Sequence, residues 1–331
     1  MSGESRHERI RQDAADTQPP EDVVASVVVP TFRGIDRLPA LMDAFAVQGP
    51  DSPAFEVVVV VDGVDDGSPA LVEAEDRFRT RTIVFPENRG RVAALNAGLA
   101  AARGEILIRC DDDLVPGPDY IAEHVAAHSP SPRAVIGLYR NEYARTRYAE
   151  VYGQDADRRF RAGAYEAPVE LRWRYWAGNC SVHRSAYETV GEYDPAYRLY
   201  GWEDVDYGYR LHRAGFEVML VPSLETPHRV AAVTARSRAV RAKHAAAARR
   251  IFEAKHPECQ LPPAIPPASA WNLLVRGAAP LIGSRAEAAG AFVDRIIPRL
   301  PAAVGRKLVA LLVEASAVAG YRRPDAASDV F

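Results

Sequence analysis

Two runs of β-branched residues do most to limit the folds open to this chain: VVASVVVP at 23–30 and FEVVVVVD at 55–62. Neither alternates apolar with polar residues, so each suits a strand covered on both faces, as the inner strands of a parallel sheet are. Between them, DRLPALMDAFAVQ sets Leu38, Leu41, Met42 and Phe45 at helical spacing. The three segments read as a βαβ unit. The alternation continues with a helical stretch near 68–80 and a short strand TIVF at 82–85. A helix through RVAALNAGLAAARG follows, with Val92, Leu95, Leu99 and Ala102 on one face, and Gly104 is placed to stop it. EILIRC at 105–110 is then a fourth strand. The predicted class is α/β, a mostly parallel, Rossmann-like central sheet flanked by helices.

That fourth strand delivers three consecutive aspartates, Asp111, Asp112 and Asp113. Adjacent carboxylates repel, so grouping them calls for a cation or open solvent opposite. An isolated acidic triplet is more often a solvated turn. Here the triplet stands at the carboxyl end of a strand, the edge on which open α/β sheets bind ligands. Pro30 and Thr31 end the first strand and Asp62 the second, all on the same rim, so one shared site is the economical reading. Asp111 and Asp113 form a D-x-D pair that projects two carboxylates to one side of an extended strand end. Such a donor set suits magnesium or manganese completed by phosphate oxygens.

Other chemistries lack support. The 331 residues are 48% hydrophobic, ample for one large core or two smaller ones, and the net charge of -3 gives no general attraction to nucleic acid. No nucleic-acid partner is expected. Cys110, Cys180 and Cys259 are odd in number and far apart, which fits neither a disulfide framework nor a zinc site and points to a reducing cytoplasm. The first 22 residues lack the apolar stretch of a signal peptide and are expected to form a disordered lead-in. LVALLVEASAVAG at 308–320 is short, holds Glu314 and follows Arg306 and Lys307, so no membrane span is expected. DGVDDGSPALVE at 62–73 approaches a calcium loop, but Val64 takes a ligand position and a strand precedes it. No GxGxxG follows a strand, and Walker, HExxH and GxSxG sequences do not occur.

Past residue 130 the pattern loosens. RAVIGLY at 133–139 is strand-like, and 140–170 is a polar, aromatic stretch without readable periodicity. A tight WAGN turn precedes a helix at 184–190, a second helix begins near Glu203, and FEVMLVP reads as a strand. From 229 to 250 there are seven arginines and lysines and no acidic residue, on an alanine-rich helical background. A Pro-rich break at 262–267 leads to two or three amphipathic helices. Three regions are expected: the lead-in 1–22, an α/β catalytic domain 23–228, and a helical extension 229–331.

Five segments taken in order, VVVPTFRG, VVVVVDGVDDGS, ENRGRVAALNAGLAAARGE, RCDDDL and YGWEDVDYGYRLHRAG, resemble the successive motifs of family-2 glycosyltransferases of the GT-A fold. The resemblance covers residues 25–228, and the 172–217 block is similar to the C-terminal catalytic segment of galactosyltransferase-type enzymes, with its W-G-x-N and G-W-x-E-D turns. It implies a GT-A sheet with a nucleotide-sugar donor site. Pro30, Thr31 and Asp62 would lie against the base, and Arg91 would reach the base or diphosphate. Asp111 would contact ribose or metal, Asp113 would hold Mn2+ or Mg2+ against the diphosphate, and His228 would add a metal or phosphate contact. Asp112, Trp176, Gly178, Asn179, Trp202 and Glu203 would border the substrates, with Trp202 and Tyr200 offering faces for sugar stacking. Asp204 would be the catalytic base, since inversion needs a carboxylate to take the acceptor hydroxyl's proton, although acidic residues also favour first helical turns without any chemistry. Asp206 and Arg210, at i and i+4, are expected to form a helix-surface pair.

The chain departs from the family pattern where Leu95, not arginine, precedes Asn96, and no Q-x-x-R-W sequence follows the catalytic segment. The resulting expectation is a metal-dependent inverting transferase that moves one sugar from a nucleotide-sugar, UDP being the family-level donor, to a hydroxyl acceptor on a glycan, glycolipid or small molecule. GDP and dTDP donors stay open. The alternatives are a sugar-nucleotide nucleotidyltransferase, for which PTFRGIDRL supplies no Gly-rich phosphate loop, and a non-catalytic nucleotide- or carbohydrate-binding module. The 229–331 extension reads either as packing and homo-oligomer surface, which is favoured, or as a peripheral contact with the inner face of the membrane.

Overall fold

The computed structural model describes residues 23–324, apart from 64, 199, 200, 230 and 231. The expected lead-in and Tyr200 lie outside the described residues. The two valine-rich runs form β1 (Ala25–Thr31) and β2 (Phe55–Val61), paired in parallel from Ala25↔Phe55 to Thr31↔Val61. Alternate side chains of β1 enter opposite cores: Val27 and Val29 pack with Leu38, Leu41 and Phe45, whereas Val28 packs with Leu95, Leu99 and Leu107. Burial on both faces is therefore the reason the runs do not alternate. Helix α1 (Leu38–Ala46) crosses between them, with Pro39 in its first turn, where the missing N–H costs nothing.

After α2 (Ser68–Glu73) the chain enters β3 (Arg79–Val84), so the helix expected over 68–80 is shorter and the strand begins earlier than TIVF suggests. The reason is position. Among the described residues β3 is an edge strand paired only with β2, and Arg79, Thr80 and Arg81 give it no apolar period to read. Helix α3 (Arg91–Ala101) and β4 (Ile106–Cys110) complete the parallel half, with β4 beside β1, and α4 (Tyr120–Ala127) follows.

Among the described residues the main sheet has seven strands in the order β3-β2-β1-β4-β7-β5-β8. Here β5 is Ala134–Ile136, β7 is Asn179–His183 and β8 is Val218–Leu220; β7 runs antiparallel between β4 and β5. The α/β architecture read from the sequence is thus the one that forms, a mostly parallel sheet flanked by helices. The strand expected over 133–139 is broken at Gly137. An added Cβ there would overlap the Asn179 amide and the Leu224 carbonyl. The chain continues as β6 (Tyr139–Asn141), which pairs in parallel with β9 (Thr226–His228) and sets Asn141 opposite His228.

The stretch 140–170 holds a single π-helical turn, Ala149–Gly153, that runs into α5 (Gln154–Glu166). Its apolar period is unreadable because the helix buries Ala164 and Asp157 and shows arginines elsewhere. Helices α6 (Arg184–Val190) and α7 (Glu203–Arg213) begin where expected.

Among the described residues the chain continues through four α-helices: α8 (Ala235–Lys255), α9 (Ala270–Ile282), α10 (Ala286–Ile296) and α11 (Ala302–Arg322). α8 is not confined to the extension's own core. Its Phe252 is fully buried among Trp173, Trp202 and Tyr209 of the α/β layer. The residues just beyond α8 also correct one expectation. Asp206 is 1% exposed, not a surface residue. Its Oδ1 accepts from Tyr197 and lies 2.7 Å from His256 Nε2, while Oδ2 accepts from Arg210 Nε at 2.8 Å. Replacing Asp206 with alanine strands these donors in the interior, and urea unfolding is expected to show a loss of about 3 kcal/mol.

Candidate active site

The sheet rim is assembled from the ends of β1, β2 and β4. At β1, Thr31 donates to Asp112 Oδ2 at 2.5 Å, and Arg37 forks onto the same carboxylate, Nε to Oδ1 at 3.0 Å and Nη2 to Oδ2 at 2.7 Å. Asp112 is thereby spent on tying β1 and the start of α1 to β4. Its carboxyl sits above the usual range because burial outweighs the Arg37 guanidinium. Asp62 is similarly engaged: its two oxygens accept the backbone N–H groups of Arg89 at 2.7 Å and Gly90 at 2.9 Å. This holds the loop that leads into α3, and Arg91, at the first turn of α3, reaches to 3.7 Å from Glu203. Pro30 sits half-buried beside Thr31.

The chemistry gathers around β4. Asp111 turns its carboxylate onto Arg109, whose Nε lies 3.0 Å from Oδ1, and the other side of the same guanidinium binds Asp204 at the first turn of α7. Arg109 is 3% exposed, with the Tyr193 ring 5.8 Å from the guanidinium carbon. Burial would raise the Asp111 carboxyl, but the Arg109 guanidinium prevails and holds it below its ordinary value. For Asp204 burial prevails over Arg109 and the carboxyl is raised. Glu203, beside it, is pushed up to about 7 by burial and by the Asp204 charge, against Arg91 and Arg109, and its Oε2 has no hydrogen-bond partner.

Asp113 faces the other way. Its Oδ2 lies 2.9 Å from His228 Nε2, and its buried Oδ1 has no hydrogen-bond partner. The β6–β9 register puts Asn141 against His228, with Oδ1 2.6 Å from Nδ1. Because Asn141 spends its amide N–H on Asp157, that oxygen accepts, and His228 carries a hydrogen on Nδ1. Nε2 is left to present a lone pair, or in the imidazolium a proton, to Asp113. An orphaned carboxylate oxygen beside an imidazole nitrogen fits a divalent cation. Among the described residues no group of three or more His, Cys, Asp or Glu side chains is placed to hold a metal, so a cation here would need oxygens from a ligand.

Comparison with known proteins decides the family. Residues 26–191 match the model of glycosyl transferase family 2, and residues 158–233 match one described as the N-terminal domain of galactosyltransferase. The chain belongs to glycosyl transferase family 2. Validoxylamine A glucosyltransferase of Streptomyces hygroscopicus subsp. jinggangensis is 30% identical over 234 residues, 61% of this chain and 55% of that protein. The family-2 chain thus spans about half the length of this curated relative. In fold it is similar to the mannosyltransferase PcManGT from Pyrobaculum calidifontis, solved with GDP-Man and Mn2+, at a TM-score of 0.59 and 20% identity over 96% of this chain and 94% of that one. It is also similar to S. aureus TarS 1-349 in complex with UDP, at a TM-score of 0.51 and 15% identity over 91% and 89% of the two chains.

Within this family-2 chain, several residues expected at the substrates are placed in the scaffold. Trp176 is buried and donates its indole N–H to Tyr193 at 2.9 Å. Asn179 is fully buried, accepting from Tyr120 at 2.9 Å and donating to the Leu224 carbonyl at 2.8 Å. Gly178 lies so close to Asp111 that an added Cβ would overlap its carboxylate. Trp202, in the left-handed conformation at φ 73°, packs on Phe252 with Arg249 over its ring. These side chains meet protein partners that lie far away in sequence, which local spacing does not reveal.

Arg109, Arg37, Asn141 and Tyr139, whose ring stacks on the His228 imidazole with centroids 4.7 Å apart, are the site residues that the sequence reading missed. Arg109 alone carried a signal, a charge within the apolar run ILIRC, and a buried charge demands a partner. Arg109→Met would leave the half-buried Asp111 and Asp204 carboxylates without the guanidinium that pairs them, and urea unfolding is expected to show a loss of about 3 kcal/mol. Adding Asp204→Asn should restore part of that loss, because one of the two stranded charges is then removed.

Proposed function

We propose that the protein transfers a single sugar from a nucleotide-sugar to a hydroxyl acceptor with inversion at the anomeric carbon. The observation that carries the reading is the meeting of two groupings on one rim: the Asp113 carboxylate with the His228 imidazole on one side, and the Asp204 and Asp111 carboxylates across Arg109 on the other. The chains it resembles in fold were solved with GDP-Man and Mn2+ and with UDP, which supports a nucleoside diphosphate-sugar as donor.

In this reading Asp113 Oδ1 and His228 Nε2 would hold Mn2+ or Mg2+. That ion, when bound, would neutralise charge on the diphosphate as the sugar leaves. Arg91, at the entrance of α3, would bring a guanidinium to the donor from the opposite side of the rim. The acceptor oxygen attacks the anomeric carbon, the bond from that carbon to the diphosphate oxygen breaks, and the acceptor proton passes to Asp204. Arg109 binds Asp204 Oδ1, which leaves Oδ2 to receive the proton and fixes the plane of the carboxylate. A raised carboxyl suits this role, since a base poised nearer the working pH accepts a proton more readily than an ordinary aspartate.

Isothermal titration with UDP, GDP and dTDP, each with and without manganese, tests the donor half. One nucleotide should bind in a manganese-dependent way, and Asp113→Ala should abolish that dependence. Binding by none of the three under either condition would refute the donor site.

The base makes a separate claim on pH. The acceptor needs ionised Asp204, and burial raises its carboxyl, so turnover should fall with decreasing pH at a midpoint above the ordinary aspartate value of about 3.9. Asp111→Asn removes a neighbouring negative charge that raises Asp204 and should move that midpoint down by up to about one unit. A rate against pH unchanged in this variant would count against Asp204 as the base.

A further inference from the structure

Helix α9 is apolar on two sides. Val275 and Ala279 pack against Ala315, Val318 and Ala319 of α11. Leu273, Leu274 and Leu281 instead face solvent, at 58%, 52% and 77% exposure. With Gly277 these positions fall on one face of the helix, about 12 Å long at 1.5 Å rise per residue, and none of them is polar. The one charged side chain of α9, Arg276, turns aside to donate to the Pro266 carbonyl. Phe292 of the next helix, α10, is a further 63% exposed. A helix at a water boundary ordinarily shows polar residues there, and grouped exposed leucines mark a contact surface.

Charge identifies the partner. Residues 270–323 hold eight arginines and lysines against three acidic residues, a net of five positive in a chain whose net charge is -3. The three acids are already engaged: Glu287 with Arg236, Asp294 with the backbone N–H groups of Ala235 and Arg236, and Glu314 with the Trp271 indole. Arg285, Arg295 and Arg299 stand exposed, while the exposed Arg306 lies within reach of the Asp155 charge of α5. A second copy of the chain would set two positive surfaces against each other, whereas an anionic bilayer complements both the charge and the leucines.

We propose that α9 and its cationic surroundings dock the protein on an anionic phospholipid surface, with Leu273, Leu274 and Leu281 at the acyl boundary and the arginines among the phosphates. The contact is peripheral, since no helix among the described residues is long and apolar enough to cross a membrane. The proposal stands independently of the transferase reading of the rim.

Sedimentation of the full chain with vesicles tests it, using phosphatidylcholine alone and phosphatidylcholine with phosphatidylglycerol in roughly a three-to-one ratio. The protein should bind the anionic vesicles and not the neutral ones, and binding should weaken at about 0.5 M salt, where charges are screened. Leu274→Glu/Leu281→Glu should lower the affinity at least about tenfold, and Arg285→Glu/Arg295→Glu should do the same, both at unchanged melting temperature. Failure of the wild-type chain to bind anionic vesicles overturns the proposal. So does binding that both double variants retain, or a self-associated wild type that the leucine variant converts to monomer without any change in vesicle binding.

Discussion

A single buried guanidinium holds the functional rim together. Arg109 lies in β4, the strand between β1 and β7, where a charge without a partner would be costly. Its two partners come from different places, Asp111 from the end of the same strand and Asp204 from the first turn of α7, 95 residues on. Pairing with both compensates the arginine and at the same time fixes the distance between the sheet and the helix. The rest of the site is arranged around that fixed point. Gly178 lets Asp111 lie flat against β7, Trp202 turns the chain sharply into α7, and Phe252 of α8 supports that turn from behind.

The three adjacent aspartates are separated by what each faces. Asp111 faces a buried arginine, Asp112 faces Thr31 and Arg37, and Asp113 faces His228 with one oxygen left over. Their mutual repulsion is relieved by three different sets of partners. The strand end divides its carboxylates between scaffold and site, and only Asp113 has an oxygen without a protein donor. The small β6–β9 sheet serves this division, because its register places Asn141 where it orients the imidazole.

The helical extension is joined to this site physically. Phe252 enters the same core as Trp173 and Tyr209, and His256 closes on Asp206, two residues beyond Asp204. Its outer helices α9 and α10, by contrast, leave leucine and phenylalanine in solvent. One segment thus supports the candidate catalytic helix on its inner side and carries an unpartnered apolar face on its outer side.

What could be read without coordinates followed from burial and position. Strands covered on both faces show uninterrupted valines, so β1, β2 and their helices were legible, as were Thr31, Asp62 and the aspartates at the strand ends. The starts of α6 and α7 were legible from local turn chemistry. The edge strand β3 and the arginine-rich α5 were not, because a segment that buries little has no apolar period. Individual roles were the least visible. Trp176, Asn179 and Asp206 look in sequence like binding or surface residues, and Arg109 like an ordinary strand position. The sequence by itself determined the α/β sheet and which carboxylates reach its rim, because backbone period and side-chain burial are local properties. Only the tertiary structure decided which of those carboxylates are already paired, because a buried charge is compensated by whatever partner the fold brings to it, however distant in the chain.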